Sequence, residues 1–424
     1  MHIAIFEVNC QIVPLGRSKK IYYTESTVMI FNRSQFSFFG KREINALYAT
    51  LALISLGEGI ISIFVPIFLW KTGFALWQIL FFFFLMSLYF VISSFVLLPL
   101  LEKLSDKMMM FLSVPFLILY FFFLNYMVSF PVLFYILPLF YALNTLFFNV
   151  GYNLDFAQSV DKEKIGREIG TRNTVSALVN FGAPFIGGLL IVTFGFGNTF
   201  LISSIILFLS VLPLFFFPYR HLAPALKKAE IVKFLTGRGI QNFNMSCIGY
   251  SNETLIGGII WPLFIFFAIH NLETLGGIIS IGLLASVITT YFFGFLSDAG
   301  DRRRILGVTS ILFALIWIGR LFFTTRTAII SSNILGNVVV AALFVAWTSQ
   351  YYKISRAVED PSAFILSREI LYNLARIVLL PVLIWVAYAF PLYVFFVISF
   401  GFAAIFQLFY LFANRFHLNH LADM

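Results

Sequence analysis

Apolar residues run through this chain in long, almost unbroken stretches, separated by short clusters that hold nearly all of its charge. A stretch of about 18 or more apolar residues is long enough, as a helix, to cross a hydrocarbon core about 30 Å thick. Twelve such helices are predicted, near 44–70, 75–101, 107–127, 130–154, 168–194, 198–218, 242–268, 274–296, 305–323, 328–351, 367–388 and 391–412. Runs such as "FFFFLMSLYFVISSFVLLPLL" do not alternate apolar with polar positions, so a membrane β-barrel is excluded. The one long interruption, "YRHLAPALKKAEIVKFLTGRGIQ", divides the chain. The predicted organisation is a cytoplasmic tail (1–43), a six-helix bundle (44–218), a cytoplasmic linker (219–241), a second six-helix bundle (242–412) and a cytoplasmic tail (413–424). Within the linker, "LAPALKKAEIVKFL" reads as a short basic amphipathic helix lying on the inner leaflet.

Composition agrees with an all-α membrane protein: 60% of the residues are hydrophobic, 11% are charged, and mean hydropathy is +0.95. No soluble domain hides that much apolar surface. A net charge of +9 would suggest nucleic acid in a soluble chain, but its placement argues otherwise. With the N-terminus inside, every Lys and Arg except Lys71, Arg320, Arg326 and Arg376 falls at the cytoplasmic end of a helix or in a cytoplasmic segment. Cytoplasmic loops retain basic residues, so both termini are expected in the cytoplasm and the charge is a topology signal with a bias toward anionic lipid heads. The expected setting is the plasma or inner membrane, the expected partners are the bilayer and a small-molecule substrate, and no nucleic acid is implied. Cys10 and Cys247 are too far apart in sequence to suggest a disulfide or metal framework, and neither metal nor cofactor is expected. The first 43 residues have basic residues in every short apolar run, unlike a signal or transit peptide.

The two halves repeat. "SIFVPIFLW", with Pro66, is echoed by "GIIWPLFIF", with Pro262. "LLEKLSDK" is echoed by "FGFLSDAG", which aligns Asp106 with Asp298. Arg167-Glu168-Ile169 is echoed by Arg368-Glu369-Ile370, and Pro184 by Pro381. Three matches in one order, at offsets of 192 to 201 residues, indicate two units on one plan.

Two six-span halves, a long central loop and "GFLSDAGDRRRIL" between spans eight and nine resemble the major facilitator superfamily (MFS) of secondary transporters. Gly294, Leu296, Ser297, Asp298, Arg302 and Arg303 fill the superfamily's loop signature, while Ala299 and Asp301 depart from it. In the first half only Leu104, Ser105, Asp106 and Lys107 survive. "NFGAPFIGG" in span five resembles a pattern prominent in the superfamily's antiporters, through Gly182, Pro184, Gly187 and Gly188. The resemblance implies an MFS fold working by alternating access, in which spans one, four, seven and ten line a central cavity. It also implies a cytoplasmic gate across the halves, with Asp106 near the start of span eleven and Asp298 near the start of span five. Arg368-Glu369 and Arg167-Glu168 would be their ionic partners, Asp155 would lie within reach of Lys107, and Arg302 and Arg303 would belong to the same gate. The plainer reading of the arginines is that they enforce topology alone.

Charge inside a span costs several kcal/mol and normally faces a cavity or a partner. Glu58, Glu253 and Arg376 each sit about mid-span. One reading has Glu58 or Glu253 carrying a proton; the other has Glu253 and Arg376 as a fixed buried pair and Glu58 bonded to nearby backbone. Tyr141, Thr145, Asn149 and Tyr152 share one helical face, as do Asn333, Asn337, Phe344 and Tyr351, and either set could bind substrate or join helices by hydrogen bonds. Arg320, near a helix end, is expected to snorkel.

The leading function is therefore a proton-coupled secondary transporter of a small solute, acting as a monomer, with export of an amphiphilic compound foremost. Uptake of a sugar, peptide or organic acid stands beside it, as does a transport-fold sensor or lipid scramblase. A membrane-embedded enzyme would need catalytic groups in sizeable loops, and the outer loops are a few residues long. No Gly-rich phosphate loop is present.

Overall fold

The computed structural model describes residues 42–159, 165–215, 226–299, 302–323 and 325–416, with the side chains of 42–48, 156–178, 211, 213–215 and 291–302 outside that description. Among the described residues every regular element is a helix. Among those residues, eleven helices are long and apolar enough to cross a membrane. In the N-terminal half these are built from α1 (Arg42–Ile61) with α2 (Val65–Lys71), α3 (Leu76–Val96), followed by the single turn α4 (Leu98–Leu101), α5 (Asp106–Leu124), α6 (Leu133–Ser159) and α7 (Ile165–Phe215). The linker contains α8 (Lys228–Thr236). The C-terminal half holds α9 (Gln241–Leu255) with α10 (Trp261–Ile269), then α11 (Leu272–Ala299), α12 (Arg302–Gly319), α13 (Arg326–Ala357), α14 (Pro361–Ala389) and α15 (Leu392–Leu408).

Predicted spans five and six are the two arms of α7. A straight helix of 51 residues would extend roughly 75 Å, more than twice the hydrocarbon thickness. At Gly195, φ 80° and ψ 168° break it, a conformation open essentially to glycine alone. The arms then fold back together: a Cβ on Gly57 would meet Leu207, and one on Gly59 would meet Ala183. One turn of α1 thus touches residues equally far before and after Gly195.

The repeated prolines explain a second irregularity. Proline cannot donate to the preceding turn and its ring crowds that turn's carbonyl, so the helix rewinds ahead of it. Ahead of Pro66 the chain tightens into a 3-10 turn, Ser62–Phe64, and ahead of Pro262 it loosens into a π-helical turn, Ile256–Ile260. Capping ends other helices: Ser105 Oγ accepts from Met108 N at the start of α5, and Asp360 Oδ1 accepts from Ala363 N at the start of α14. The "LSD" sequence is therefore a cap, with Asp106 in the first turn.

The linker forms the predicted helix but not in the predicted place. Ile231 and Phe234 of α8 are buried, and the Phe234 ring lies 5.5 Å from Phe364 of α14. The apolar face thus covers protein instead of lipid.

Two seams join the halves, α3 against α14 and α7 against α11. Exchanging the halves turns one seam into the other. The second is tight because glycines leave backbone to meet backbone. Cβ atoms on Gly188 and Gly276 would stand 2.6 Å from the Leu272 oxygen and 2.3 Å from the Pro184 oxygen. Phe185 N also donates to Ser280 Oγ there, at 3.0 Å.

Candidate functional site

Between the two seams lies a cavity of about 320 Å³, near the lower end of the usual range for small-molecule sites. Its walls come from both halves: the α1–α2 junction, α3 and α6 from the first, and the α9–α10 region and α14 from the second. Ile63, Phe83, Met86 and Phe90 form an apolar side. Ser62, Ser87, Tyr141, Thr145, Thr254 and Asn373 bring polar groups, and Arg376 brings a cation. A larger recess, about 510 Å³, lies between α3 and α14, but Trp77, Phe81, Pro381 and Trp385 make it apolar and it opens broadly, so it carries no chemistry.

Of the predicted residues, Tyr141, Thr145 and Arg376 meet in the cavity. The Arg376 side chain is held by one bond, Nε donating to Ser251 Oγ at 3.1 Å, and that hydroxyl in turn donates to the Tyr372 carbonyl at 2.7 Å. Thr145 Oγ1 donates to the Tyr141 carbonyl. Glu58 lies one helical turn before Ser62, on the same face, and is close enough for its charge to act on the Tyr141 hydroxyl. Among the described residues the Glu58 carboxylate makes no hydrogen bond or ion pair, so the predicted bond to nearby backbone is absent.

Glu253 and Arg376 do not pair. Glu253 turns the other way, into the C-terminal half, where Trp317 Nε1 donates to its Oε1 at 3.3 Å and Arg320 is the cation acting on it. Arg320 does not snorkel. It is 4% exposed, with its guanidinium 3.9 Å from the Trp261 ring centre and 4.1 Å from that of Trp317, and its Nε donates to Ser332 Oγ. Asn333 bonds to Trp261 Nε1 and to the Ile278 carbonyl, and Asn337 donates to the Asn333 carbonyl. Asn333 thus joins α13 to its neighbours, Asn337 braces it from within the helix, and no residue of α13 lines the cavity.

Asn149 serves at the end of the bundle that carries the basic residues. Its Nδ2 donates across the halves to Glu369 Oε2 at 3.0 Å, while Glu369 Oε1 pairs with Arg368 Nη2 at 2.5 Å. Arg368 also stacks 3.7 Å from the Tyr351 ring centre. A second bond across the halves, Tyr352 OH donating to Asn153 Oδ1 at 3.1 Å, lies beside it. Asp106 stays within its own half, accepting from Lys107 N at 2.7 Å and hydrogen-bonding to Asp155. The carbonyl of Arg303 accepts from Asn414. The side chains of Arg167, Glu168, Asp298 and Arg302 lie outside the described residues.

Sequence reasoning missed Ser62, Ser87, Thr254 and Asn373. Small polar residues are common in membrane helices as packing groups, so nothing in their spacing marks the first three. Asn373 alone carried a usable signal, one turn before Arg376 on the same face.

No protein-family model matches the chain, and no curated protein matches it in sequence. Solved structures do match in fold. Nucleoside transporter NupG superposes with a TM-score of 0.63, at 12% identity, covering 89% of this chain and 100% of NupG. The E. coli fucose:proton symporter FucP superposes with a TM-score of 0.64, again at 12% identity and with the same coverage, as does FucP described as an MFS transporter in the outward conformation. The chain has the MFS transporter fold.

Proposed function

We propose that this protein is a secondary transporter that moves a small solute by alternating access through the cavity between its halves. The observation that carries this reading is the cavity itself. It takes walls from both halves, and the halves touch at both of its ends. Toward the basic end lie the bonds of Glu369 to Asn149 and of Tyr352 to Asn153. Toward the other end, Trp70 meets Phe267 at 4.9 Å between ring centres, and α7 meets α11 at Gly188 and Gly276. Parting either set while keeping the other exposes the cavity to one compartment.

In this reading the two arms of α7 are separate crossings, which makes twelve spans in two six-helix units. The basic end is cytoplasmic, as are both termini. Glu369, Arg368 and Asn149 form the cytoplasmic gate, with Asp106, Lys107 and Asp155 supporting it from within the N-terminal half. Glu58 carries the coupling proton: a carboxylate near mid-span without a cation partner is stable there when neutral, and Tyr141 links it to the cavity. The likeness to a fucose:proton symporter supports proton coupling.

Export of amphiphiles draws on "NFGAPFIGG" and on the strongly apolar helices. In the fold, Pro184, Gly187 and Gly188 meet α11 and α1 by close backbone contact, so packing accounts for the stretch. The polar groups of the cavity, with Arg376 among them, favour a small solute that carries a polar or charged group. The test is flux into proteoliposomes with and without an imposed pH gradient. Gradient-driven accumulation of some solute, lost in Glu58→Gln, is the expected result; no flux of any solute under either condition would overturn the reading.

A further inference from the structure

Three arginines of the C-terminal half, Arg320, Arg368 and Arg376, fall within the spans predicted from sequence, and two have their charge compensated. Arg320 lies between the faces of Trp261 and Trp317 with Glu253 nearby. Arg368 is paired to Glu369 and stacked on Tyr351. Arg376 is different. It sits in the middle of α14, roughly 20 Å of helix from either end, where an unpaired charge is most costly. Among the described residues no carboxylate reaches it within ion-pair distance and no ring stacks on it. Its Nε is held by Ser251, which fixes the guanidinium plane, and its two Nη groups donate to no protein atom among the described residues.

A guanidinium anchored at Nε presents its Nη groups as a planar fork, matched to the two oxygens of a carboxylate. Asn373, one turn earlier on α14, and Tyr141, across the cavity on α6, can add hydrogen bonds beside it. The lining also holds the apolar side chains of Ile63, Phe83, Met86 and Phe90, which have no use for a bare inorganic anion. We infer that the cavity binds a small organic anion, a carboxylate on an apolar aliphatic or aromatic body, through the free end of the Arg376 fork. Such a ligand supplies a counter-charge at contact distance; Glu369, the protein carboxylate that acts on Arg376 from further off, is already bonded to Arg368 and Asn149. Calling it the transported solute rests on the transporter reading above; the binding itself does not.

The test uses the full chain in nanodiscs and needs no transport. Benzoate, hexanoate and phenylacetate are compared with their primary amides by thermal shift and by calorimetric titration, with inorganic phosphate as a further probe. The acids are expected to bind and raise the melting temperature, and the amides are expected not to. Arg376→Gln is expected to weaken acid binding by about 10- to 100-fold, the span for losing hydrogen bonds to a charged group. Arg376→Lys, which keeps the charge and loses the fork, should fall between. Amides binding as well as acids, all three acids failing to bind, or phosphate binding better than any of them would each overturn the inference. The amide comparison uses unaltered protein, so it stands even if Arg376→Gln does not fold. Acid binding without flux of any acid leaves the site and removes the acid as the transported solute, and flux of no solute at all removes the transporter reading as well. Flux of a neutral solute with no acid binding removes the site and leaves the transporter reading.

Discussion

Gly276→Ala tests whether the α7–α11 seam is a moving contact. The new Cβ would stand 2.3 Å from the Pro184 oxygen, 3.0 Å from its carbonyl carbon and 3.2 Å from Phe185 Cα. All three are backbone atoms, so none can swing aside. Ordinary contact begins near 3.4 Å, and the helices must part by about 1 Å at this level. Overpacking of this kind costs about 1–3 kcal/mol. Alanine is the better helix former by about 0.8–1 kcal/mol, but α11 is helical whether the seam is closed or parted, so that gain cancels between the two conformations. The closed seam should therefore lose population by about 5- to 150-fold relative to a form parted at Gly276. The readout is the rate at which a membrane-impermeant thiol reagent, added on the side of Trp70 and Leu272, modifies Thr254→Cys in the cavity, with Cys10 and Cys247 replaced by serine. The rate should rise within that range, and turnover should fall because the closed form has become the rarer intermediate. Unchanged labelling together with an unchanged melting temperature would refute the reasoning, since the added methyl group would then have met no obstacle.

Glu58→Gln should abolish the response of flux to a pH gradient while leaving equilibrium binding of the solute near its original strength, measured by titration in nanodiscs. Arg320→Leu leaves Glu253 and Ser332 buried without their cation, and a loss of about 3–5 kcal/mol is expected in detergent unfolding. Adding Glu253→Gln to that variant should restore a large part of the loss, and no recovery would separate the two groups. Gly195→Ala forces a side chain into a conformation of φ 80° and ψ 168°, so about 1–3 kcal/mol should be lost, read as a lower melting temperature. A control alanine at Gly401, where a Cβ meets open space, should not have this effect.

The multi-helix membrane setting, the repeated proline breaks and the charge at Glu58, Glu253 and Arg376 are all legible in the order of residues. Each of these depends on local properties: transfer of about 20 consecutive side chains into hydrocarbon, or the missing N–H of one proline. Which groups face one another emerges from packing in three dimensions. Glu253 and the cavity residue Thr254 are adjacent in sequence, yet a helix turns about 100° per residue, so one points at Arg320 and the other at the solute space. The π-helical turn that follows, Ile256–Ile260, changes the residue count per turn and carries the register of α10 away from any face extrapolated from α9. Asn333 and Asn337 hold the spacing of a binding face, yet Asn333 spends its amide on Trp261 and Ile278 and Asn337 donates back to Asn333, because Gly282 of α11 comes so close that their side chains fill the gap. Hydropathy is summed along one dimension and does not record rotation about a helix axis. Rotation is what separates the partnered Arg320 from the open fork of Arg376.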